Sequence, residues 1–302
     1  MSISRIATFG HTQRMVASSL KLQAEMAKVQ EQEASGVKSS SFAGLGSDAA
    51  RLLRLDAQSA SLTADNAAAT QAMSFAEAAY AAVGDISDLA TTILGQLAAL
   101  NSGSSDDADL VSSYAGQWLE DLESMLNADL GGVSLFSGEA LDRAAVDFAD
   151  ADYDPTADPT AASTGYYQGT STARTYTASD GSKIQISVTA DEPGFEKLAR
   201  ALALVAASPG DADVAAQAYD LVQEAVSDLG AAQETLSART SALQDRIDRN
   251  TAKIDILDSL ATELNGVDLA EAAVLVVQQQ TQLEALYSTI STLASLSLLK
   301  YL

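Results

Sequence analysis

Apolar residues recur alternately three and four positions apart along two long segments of this sequence, and this repeat limits the possible folds more than any other feature. The first segment runs from Leu52 to Leu97, and the second runs from Tyr219 to Leu264. In each segment eleven of the fourteen repeat positions are apolar, which is the pattern of a helix that buries one seam against a partner. At 1.5 Å per residue each helix would be about 70 Å long. Two helices of equal length predict an antiparallel pair or a bundle.

Each seam also contains a few polar positions. The first seam consists of Leu52, Leu55, Ser59, Leu62, Asn66, Ala69, Met73, Ala76, Tyr80, Val83, Ser87, Ala90, Leu94 and Leu97. The second seam consists of Tyr219, Val222, Val226, Leu229, Gln233, Leu236, Thr240, Leu243, Ile247, Asn250, Ile254, Leu257, Ala261 and Leu264. Polar residues such as Asn66 and Asn250 would fix the register of the two helices at some cost in stability.

The segment between the two long helices has a different composition. Residues 101–109 are polar and predict a turn, and the sequence from Tyr114 to Leu130 predicts a further helix. From residue 131 to 192 Gly, Pro, Thr and Tyr become frequent, and Asp180-Gly181 between alternating β-forming residues is a strong hairpin signal. Apolar spacing then predicts a helix at about residues 193–207. The predicted fold class is mainly α, with long antiparallel helices, a small β-rich insert and amphipathic terminal helices.

Both ends of the chain predict amphipathic helices of about 30 residues. The first helix places on one face Ile3, Ile6, Phe9, Val16, Leu20 and Ala27. Near the other end, Asp268 and Glu271 have the spacing of a capping box at a helix start. The helix that follows places on one face Leu269, Val276, Leu283, Leu286, Ile290 and Leu293. Neither face has an obvious cover within the chain, so we expect other subunits to cover both of them.

Charge and cysteine content exclude several classes of protein. The net charge is −24, and residues 101–230 hold 23 of the 41 acidic side chains but 5 of the 17 basic ones. This negative excess argues against binding to nucleic acid or to an anionic membrane surface. The chain has no cysteine, so disulfides and thiolate sites are not available. No apolar run reaches 18 residues and no secretory signal is visible, so we expect neither a membrane span nor a cleavable signal.

The residues that could carry chemistry are few, and none of them predicts a catalytic, cofactor or metal site. His11 is the only histidine, and a single histidine in a terminal helix favours a surface or packing role. GLGSDA at residues 44–49 resembles part of a dinucleotide fingerprint, but it lacks the preceding strand that the fingerprint requires. Residues 150–154 place three aspartates at the spacing of calcium ligands in an EF-hand loop, but Pro155 replaces the required glycine. We therefore expect at most a weak cation site and no enzyme activity.

Stretches along the whole chain resemble the flagellin superfamily of bacterial flagellar axial proteins. The opening MSISRIATFGHTQRMVASSLKLQAEMAKVQEQEASGVK and the stretch SDAARLLRLDAQ are similar to the corresponding family segments. GVSLFSGEAL (132–141), YYQG (166–169) and VTADEPGFEKLARAL (188–202) resemble the family's insert and the helix that leaves it. The most specific stretch is the tail VDLAEAAVLVVQQQTQLEALYSTISTLASLSLLKYL. Within the superfamily, the chain most resembles the hook-associated protein 3 family, which forms the hook–filament junction.

The resemblance implies an architecture for a structural subunit. In that family the terminal helices pack in the inner core of the flagellar tube, the paired long helices form the next shell, and the insert projects outward. The implied domains are terminal assembly helices at 1–45 and 266–302, a helical rod domain at 46–130 and 193–265, and the insert at 131–192. The implied assembly interface consists of Ile3, Ile6, Phe9, Val16, Leu20, Val276, Leu283, Leu286, Ile290, Leu293, Leu296, Leu299 and Leu302.

The resemblance also implies partners and a location. Subunits of the family leave the cell unfolded through the flagellar type III apparatus, without a cleavable signal, and act outside the cell in the flagellum. The expected partners are further copies of this chain, hook-associated protein 1, flagellin and, before secretion, a flagellar export chaperone. No cofactor, nucleic acid or membrane is expected as a partner.

Two other functions are compatible with the sequence. A flagellin, the filament subunit itself, shares the plan of the terminal helices, although ATELNGVDLAEAA stands where flagellins usually carry a SRIEDADYA-like stretch. The two seams alone also fit a cytoplasmic coiled-coil scaffold or a chaperone-like binding protein. Purified flagellin would form long filaments, whereas loss of a cytoplasmic scaffold would leave motility intact.

Overall fold

The structure, a computed structural model, describes residues 3–101, 108–140, 143–208 and 210–298. The chain forms two compact units. The first unit lies within residues 1–60 and 253–302, and the second lies within residues 61–252. Both dividing points fall inside long helices, whereas the sequence suggested divisions after residue 45 and before residue 266. The predicted turn at 101–109 falls largely on residues outside the described ranges.

Helices dominate the described residues. In chain order they are α1 (Ile3–Ser35), α2 (Ala49–Asn101), α3 (Ala108–Leu126), α4 (Pro193–Ala207), α5 (Ala212–Asn265) and α6 (Leu269–Leu298). A short 3₁₀ segment, Phe42–Asp48, precedes α2. The predicted mainly-α class is confirmed, and α4 has the bounds that its apolar spacing predicted.

Within the second unit, α2 and α5 run antiparallel. Asn66 Nδ2 donates a hydrogen bond to Thr251 Oγ1 at 3.2 Å, and further along α2 Gly84 lies against the side chain of Gln233. Residue numbers therefore rise along α2 while they fall along α5, as two partnered seams require. The amide of Asn66 reaches across to α5, which is the contact expected of a polar residue that fixes register.

The second seam is placed as predicted. All fourteen of its positions are buried or half-buried, and Val222, Leu229 and Leu236 are completely buried. The predicted seam therefore lies within the buried face of α5, although Ala218 and Ala225, which are not seam positions, are also completely buried.

The first seam is only partly right over the second half of α2, where Ala76, Val83, Ala90 and Leu97 are buried as predicted but other seam positions are not. Tyr80, a predicted seam residue, is 43% exposed. At four seam positions the preceding residue is the buried one. The buried residues are Ala72, Ala79, Ile86 and Ile93, and the seam residues next to them are Met73, Tyr80, Ser87 and Leu94. Here α2 belongs to one core with α3, α4, α5 and the insert, so several neighbours determine which face is buried. The buried face consequently differs from the predicted seam by one residue at every second seam position.

The insert contains two short antiparallel hairpins. β3 (Thr175–Thr177) pairs with β4 (Lys183–Gln185), and Gly181 adopts φ +82° in the turn between them. This is the turn that Asp180-Gly181 predicted, because glycine enters the left-handed region without a steric penalty.

The first hairpin was not predicted. β1 (Asp129–Leu130) pairs with β2 (Val133–Ser134), and the two residues between them, Gly131 and Gly132, both have positive φ. Consecutive glycines of this kind favour a two-residue hairpin turn. For this reason α3 ends at Leu126 and does not continue to Leu130 as the sequence analysis expected.

An aromatic core joins the insert to the helices of the second unit. The rings of Phe136 and Phe195 lie 5.5 Å apart, and those of Phe148 and Tyr166 lie 4.9 Å apart. The completely buried Tyr166 donates its hydroxyl hydrogen to the carbonyl of Ala190 at 2.8 Å. The insert is thus packed into the second unit by apolar rings as well as by its short hairpins.

Candidate assembly surface

The two terminal helices pair with each other in the first unit. Lys38 donates its backbone N–H to the carbonyl of Asn265 at 2.6 Å, and Val267 donates to Gly36 at 3.1 Å. Gln23 on α1 contacts Tyr287 on α6 through a side-chain hydrogen bond. These contacts place α1 and α6 side by side in opposite directions.

Each terminal helix turns one heptad face toward the other. On α1 this face consists of Thr12, Met15, Ser19, Leu22, Met26 and Val29, which are buried or half-buried, and Gly10 and Gln32 are half-buried as well. On α6 they are Ala272, Ala273, Val276, Gln279, Leu283, Leu286, Ile290 and Leu293. From the sequence no cover was expected for these helices within the chain; this expectation is wrong, because each helix covers one face of the other.

The predicted interface residues lie on two different faces. Val276, Leu283, Leu286, Ile290 and Leu293 belong to the seam between α1 and α6. Val16 and Leu20 point away from that seam and are 42% and 60% exposed. The structure does not describe the side chains of Ile3, Ile6, Phe9 and Leu296. The residues Leu299 and Leu302 also lie outside the described ranges.

Exposed apolar residues lie on both terminal helices, and those on α6 were not among the predicted interface residues. On α6, Val274 and Val277 are 68% and 64% exposed, and Leu269 and Leu275 are also exposed. On α1, Val16 and Leu20 line a shallow depression of about 420 Å³. Large exposed apolar side chains grouped on one element are typical of a surface that another protein covers. The run AAVLVV in α6 is apolar on both helical faces, so periodicity could not distinguish its outward residues.

A buried aspartate links the insert hairpin to both long helices of the second unit. Asp65 on α2 accepts hydrogen bonds from the Tyr176 hydroxyl at 2.7 Å and from the Ser179 N–H at 2.9 Å. From α5 it accepts bonds from Arg246 Nε at 3.0 Å and from Asn250 Nδ2 at 2.9 Å. The carboxylate of Asp65 is only 3% exposed, and its contacts stabilise one relative position of three elements.

The environment of Asp65 changes the acidity of two groups. Burial alone would raise the pKa of Asp65, but the hydrogen bonds from its neighbours outweigh burial and lower the pKa. Burial and the hydrogen bond to Asp65 raise the pKa of Tyr176 to about 12. At neutral pH the network therefore contains a charged carboxylate and a neutral phenol.

A second buried ion pair stabilises the loop that contains the two prolines. Arg200 Nε lies 3.0 Å from Glu196 Oε1, and the two side chains are 7% and 3% exposed. Arg200 also donates to the carbonyls of Pro159 at 3.1 Å and Ala161 at 3.0 Å, and Glu196 accepts the N–H of Ser163 at 2.9 Å. The pair thereby connects α4 to three backbone groups of this loop. The sequence did not point to Asp65 or to this ion pair. The spacing of four residues between Glu196 and Arg200 on one helix is nevertheless a signal for an ion pair.

The three sequence candidates for chemistry lie on a helix surface, in the segment before α2 and in local turns. His11 is exposed on α1, and GLGSDA lies in the 3₁₀ segment before α2. Asp150 accepts the N–H of Asp152 at 2.9 Å, and Asp154 accepts the N–H of Thr156 at 3.0 Å, so these carboxylates close local turns. In the described part of the chain no group of His, Asp and Glu side chains could hold a metal ion. None of the helices, over their described residues, is long and apolar enough to cross a membrane.

The chain matches no protein-family model and no curated protein sequence, but its fold is similar to that of solved structures. One is a protein from Vibrio parahaemolyticus proposed to be a flagellar hook-associated protein. It has a TM-score of 0.60 at 16% sequence identity, over 72% of this chain and 97% of that chain. Another is FlgL from Bacillus cereus, with a TM-score of 0.41 at 13% identity, over 72% of this chain and 98% of that chain.

The chain has the mainly-α fold of the Vibrio structure, and its resemblance to hook-associated proteins is confirmed at the level of the fold. The feature of this chain that bears on function is the exposed apolar surface on its terminal helices.

Proposed function

We propose that this chain is a structural subunit of the bacterial flagellum that joins the hook to the flagellin filament. The observation that carries the proposal is the exposed apolar face of the paired terminal helices, on a fold similar to that of a flagellar hook-associated protein. Burying a side chain such as Leu20 or Val274 in a neighbouring subunit would contribute roughly 1.5–3 kcal/mol. Several such residues per subunit would favour assembly.

The proposed partners follow from a position at the junction. Further copies of this chain form the junction zone, hook-associated protein 1 lies on the hook side, and flagellin lies on the filament side. A flagellar export chaperone binds the chain before secretion, and the type III apparatus exports it unfolded to the outside of the cell. The role is mechanical and not enzymatic.

The proposed division of labour keeps the boundaries suggested by the sequence. Residues 1–45 and 266–302 form the assembly helices, 46–130 and 193–265 form the rod domain, and 131–192 form the outward insert. The seam residues Val276 and Leu283 would then act in two ways. They hold α6 on α1, and they position the outward residues for contact with the next subunit.

A strain that lacks this chain tests the proposal. We expect hooks without filaments, with flagellin released into the medium, and we expect the full-length chain to restore filaments. Normal filaments in the deletion strain would contradict the proposal. If the purified chain by itself formed long filaments, it would be a flagellin. If the deletion strain were fully motile, a cytoplasmic scaffold would be the better explanation.

Truncation of the tail tests the role of the terminal helices. A chain without residues 291–302 should keep its second unit folded, since that unit ends at residue 252, but should fail to restore filaments. The matched control is a chain in which the exposed Asp85 on α2 is changed to alanine, which should restore them. Filaments formed with the truncated chain would show that the tail is dispensable.

A further inference from the structure

Asn265, the last residue of α5, is held by three hydrogen bonds from the link that follows α1. Its side-chain oxygen accepts the backbone N–H of Ser39 at 3.3 Å, and its side-chain nitrogen donates to the carbonyl of Ser39 at 3.3 Å. The main-chain carbonyl of Asn265 accepts the N–H of Lys38 at 2.6 Å. We call residues 36–39 and 262–267, which meet here within the first unit, the joint. The half-buried Asn265 is thus fixed in the joint by its side chain and by its main chain.

The residue after Asn265 has to be glycine. Gly266 forms an antiparallel bridge with Val37 and donates its N–H to the carbonyl of Thr262. A Cβ atom at position 266 would collide with that carbonyl, so a residue with a side chain would displace the main chain. Asparagine suits the preceding position, because one amide supplies both the donor and the acceptor that the backbone of Ser39 needs. The packing of the joint therefore selects the dipeptide Asn-Gly.

Asparagine is a thermolabile residue, and it is least stable before glycine, which has no side chain to shield its own nitrogen. In deamidation the nitrogen of Gly266 attacks Cγ of Asn265, so that a C–N bond forms and the bond from Cγ to Nδ2 breaks. The departing nitrogen takes the hydrogen of the Gly266 N–H and leaves as ammonia, and a succinimide ring remains. Water then opens the ring at one of its two carbonyls and gives aspartate or isoaspartate.

We infer that Asn265 is a site of spontaneous deamidation and that the joint protects it while the first unit is folded. Ring closure requires the Gly266 nitrogen to give up its hydrogen, which is bound to the carbonyl of Thr262. It also requires the reacting atoms to be aligned, whereas Asn265 lies within α5 and its amide is bound to Ser39. Attack has to wait until the joint opens, and the rate follows the fraction of open molecules.

Deamidation would damage the contacts that protect the site. Isoaspartate adds a methylene group to the main chain, so the hydrogen bonds that Lys38 and Val267 make on either side of position 265 lose their spacing. Aspartate keeps the main chain, but it cannot donate to the carbonyl of Ser39. It also places a negative charge at the C-terminal end of α5, the unfavourable end of a helix for an anion, and the ammonium of Lys38 on the carbonyl of Leu264 offsets part of that charge.

Peptide mapping of the full-length chain by mass spectrometry tests the site. The chain is incubated in mildly alkaline buffer with and without denaturing guanidinium chloride, and the conversion of amide to acid is followed at each asparagine. In denaturant we expect Asn265 to be modified much faster than Asn66, Asn127 and Asn250, which precede alanine, alanine and threonine. In the folded chain the rate at Asn265 should be lower by roughly tenfold or more.

The same measurements can overturn the inference. Modification of Asn265 in denaturant no faster than that of the other three asparagines would show that the site is not labile. Equal rates at Asn265 in the folded and the denatured chain would show that the joint gives no protection. Asn265→Gln keeps an amide at this position but cannot close a five-membered ring, so it should gain almost no mass there. A gain as fast as that of Asn265 would exclude the succinimide route.

Two substitutions at residue 39 test the protection directly. Ser39→Pro removes the backbone N–H that binds Asn265 Oδ1 and should speed deamidation in buffer without denaturant. Ser39→Ala keeps both backbone groups and is the matched control, so its rate should equal that of the unsubstituted chain. Circular dichroism checks that the second unit of both variants is folded. Equal rates for the two variants would overturn the protective role of the joint.

Hydrogen exchange measures the consequence of the modification. The chain is deamidated in denaturant and refolded, and it is compared with a chain that was denatured only briefly. We expect faster exchange in the segments that contain Lys38 and Val267, and equal exchange would contradict the loosening of the joint.

All these measurements use the purified chain, so their outcome does not depend on the proposed function. A labile and protected Asn265 in a protein whose deletion leaves filaments intact would contradict the junction role alone. A deletion strain without filaments, combined with a stable Asn265 in denaturant, would contradict this inference alone.

Discussion

Asp65 is a residue whose importance depends entirely on its surroundings. It lies on α2 between two predicted seam positions, Leu62 and Asn66, and its sequence context resembles that of any exposed acidic residue on a helix. In the structure, the hydrogen bonds from the hairpin and from α5 compensate the cost of burying its charge. Its partner Arg246 also contacts Asp180 in the hairpin turn at 3.2 Å. The polar network therefore holds the β3–β4 hairpin on the α2–α5 pair.

We predict that Asp65→Ala destabilises the second unit by about 3–5 kcal/mol, since it leaves Arg246 and the Tyr176 hydroxyl without their buried acceptor. Chemical denaturation followed by circular dichroism measures the change. Asp85→Ala, an exposed aspartate on the same helix, is the control and should change the free energy of unfolding by less than about 0.5 kcal/mol. Equal effects of the two substitutions would refute the role of the network.

We also predict that Asp65 contributes to acid sensitivity. The pKa of Asp65 is lowered in the folded chain, so its charged form stabilises the fold. This stabilisation is fully present above the ordinary pKa of an aspartate, about 3.9. It is lost as the pH falls through the lowered pKa of the folded chain. The free energy of unfolding of Asp65→Asn should therefore fall less steeply below pH 4 than that of the unsubstituted chain. Parallel acid titrations of the two chains would contradict this expectation.

At the scale of the element, α6 has two apolar faces with different tasks. Leu283 is 6% exposed in the seam with α1, whereas Val274 is 68% exposed on the outward side. The first face holds the two terminal helices together, and the second is exposed and would contact another subunit in the proposed assembly. This explains why the helix is apolar over so much of its circumference although only one face is buried within the chain.

We predict that Leu283→Ala and Val274→Ser have different effects. Leu283→Ala removes buried methyl groups and should destabilise the α1–α6 pair by about 2 kcal/mol or more, which is measurable as lost helicity in the dilute subunit. Val274→Ser should leave that helicity unchanged and should lower the yield of assembled protein. Loss of helicity with Val274→Ser would show that its side chain is needed within the chain.

At the scale of the whole molecule, the two units differ in the cores that stabilise them. The second unit has an aromatic core with many completely buried side chains, among them Phe136, Tyr166 and Phe195. In the described side chains of α1 and α6, the buried set is short and partly polar: Ser19, Val29, Ala272, Gln279 and Leu283. The side-chain oxygen of Gln279 is buried without a hydrogen-bond partner, which further weakens this seam.

We predict that α1 and α6 exchange amide hydrogens much faster than the second unit in a dilute subunit. Opening the terminal pair exposes little apolar surface, whereas opening the second unit disrupts its whole core. Hydrogen exchange followed by mass spectrometry measures both regions in one experiment, and assembly should slow exchange in α1 and α6. Protection throughout α1 and α6 equal to that of α4 would contradict the prediction.

Local chemistry determined much of the fold. The heptad repeat predicted two long helices and most of the buried face of α5, Asp180-Gly181 predicted the hairpin turn, and Asp268 predicted the start of α6. Each of these depends on residues close together in the sequence, through periodic burial, a left-handed backbone position or an N-terminal cap. The likeness of the fold to a flagellar hook-associated protein was predicted from stretches of sequence spread over the chain.

Tertiary structure alone decided which faces are covered and which polar residues are buried. Ala79 replaces Tyr80 in the buried face of α2 because several elements pack there at once. In α6 the apolar run has candidates for burial on both sides, and only the position of α1 selects Val276 over Val274 and Val277. The role of Asp65 depends on Tyr176 and Arg246, which lie more than 100 residues away in the sequence. Sequence periodicity specifies an apolar face, but burial is a property of the neighbour that the folded chain places against it.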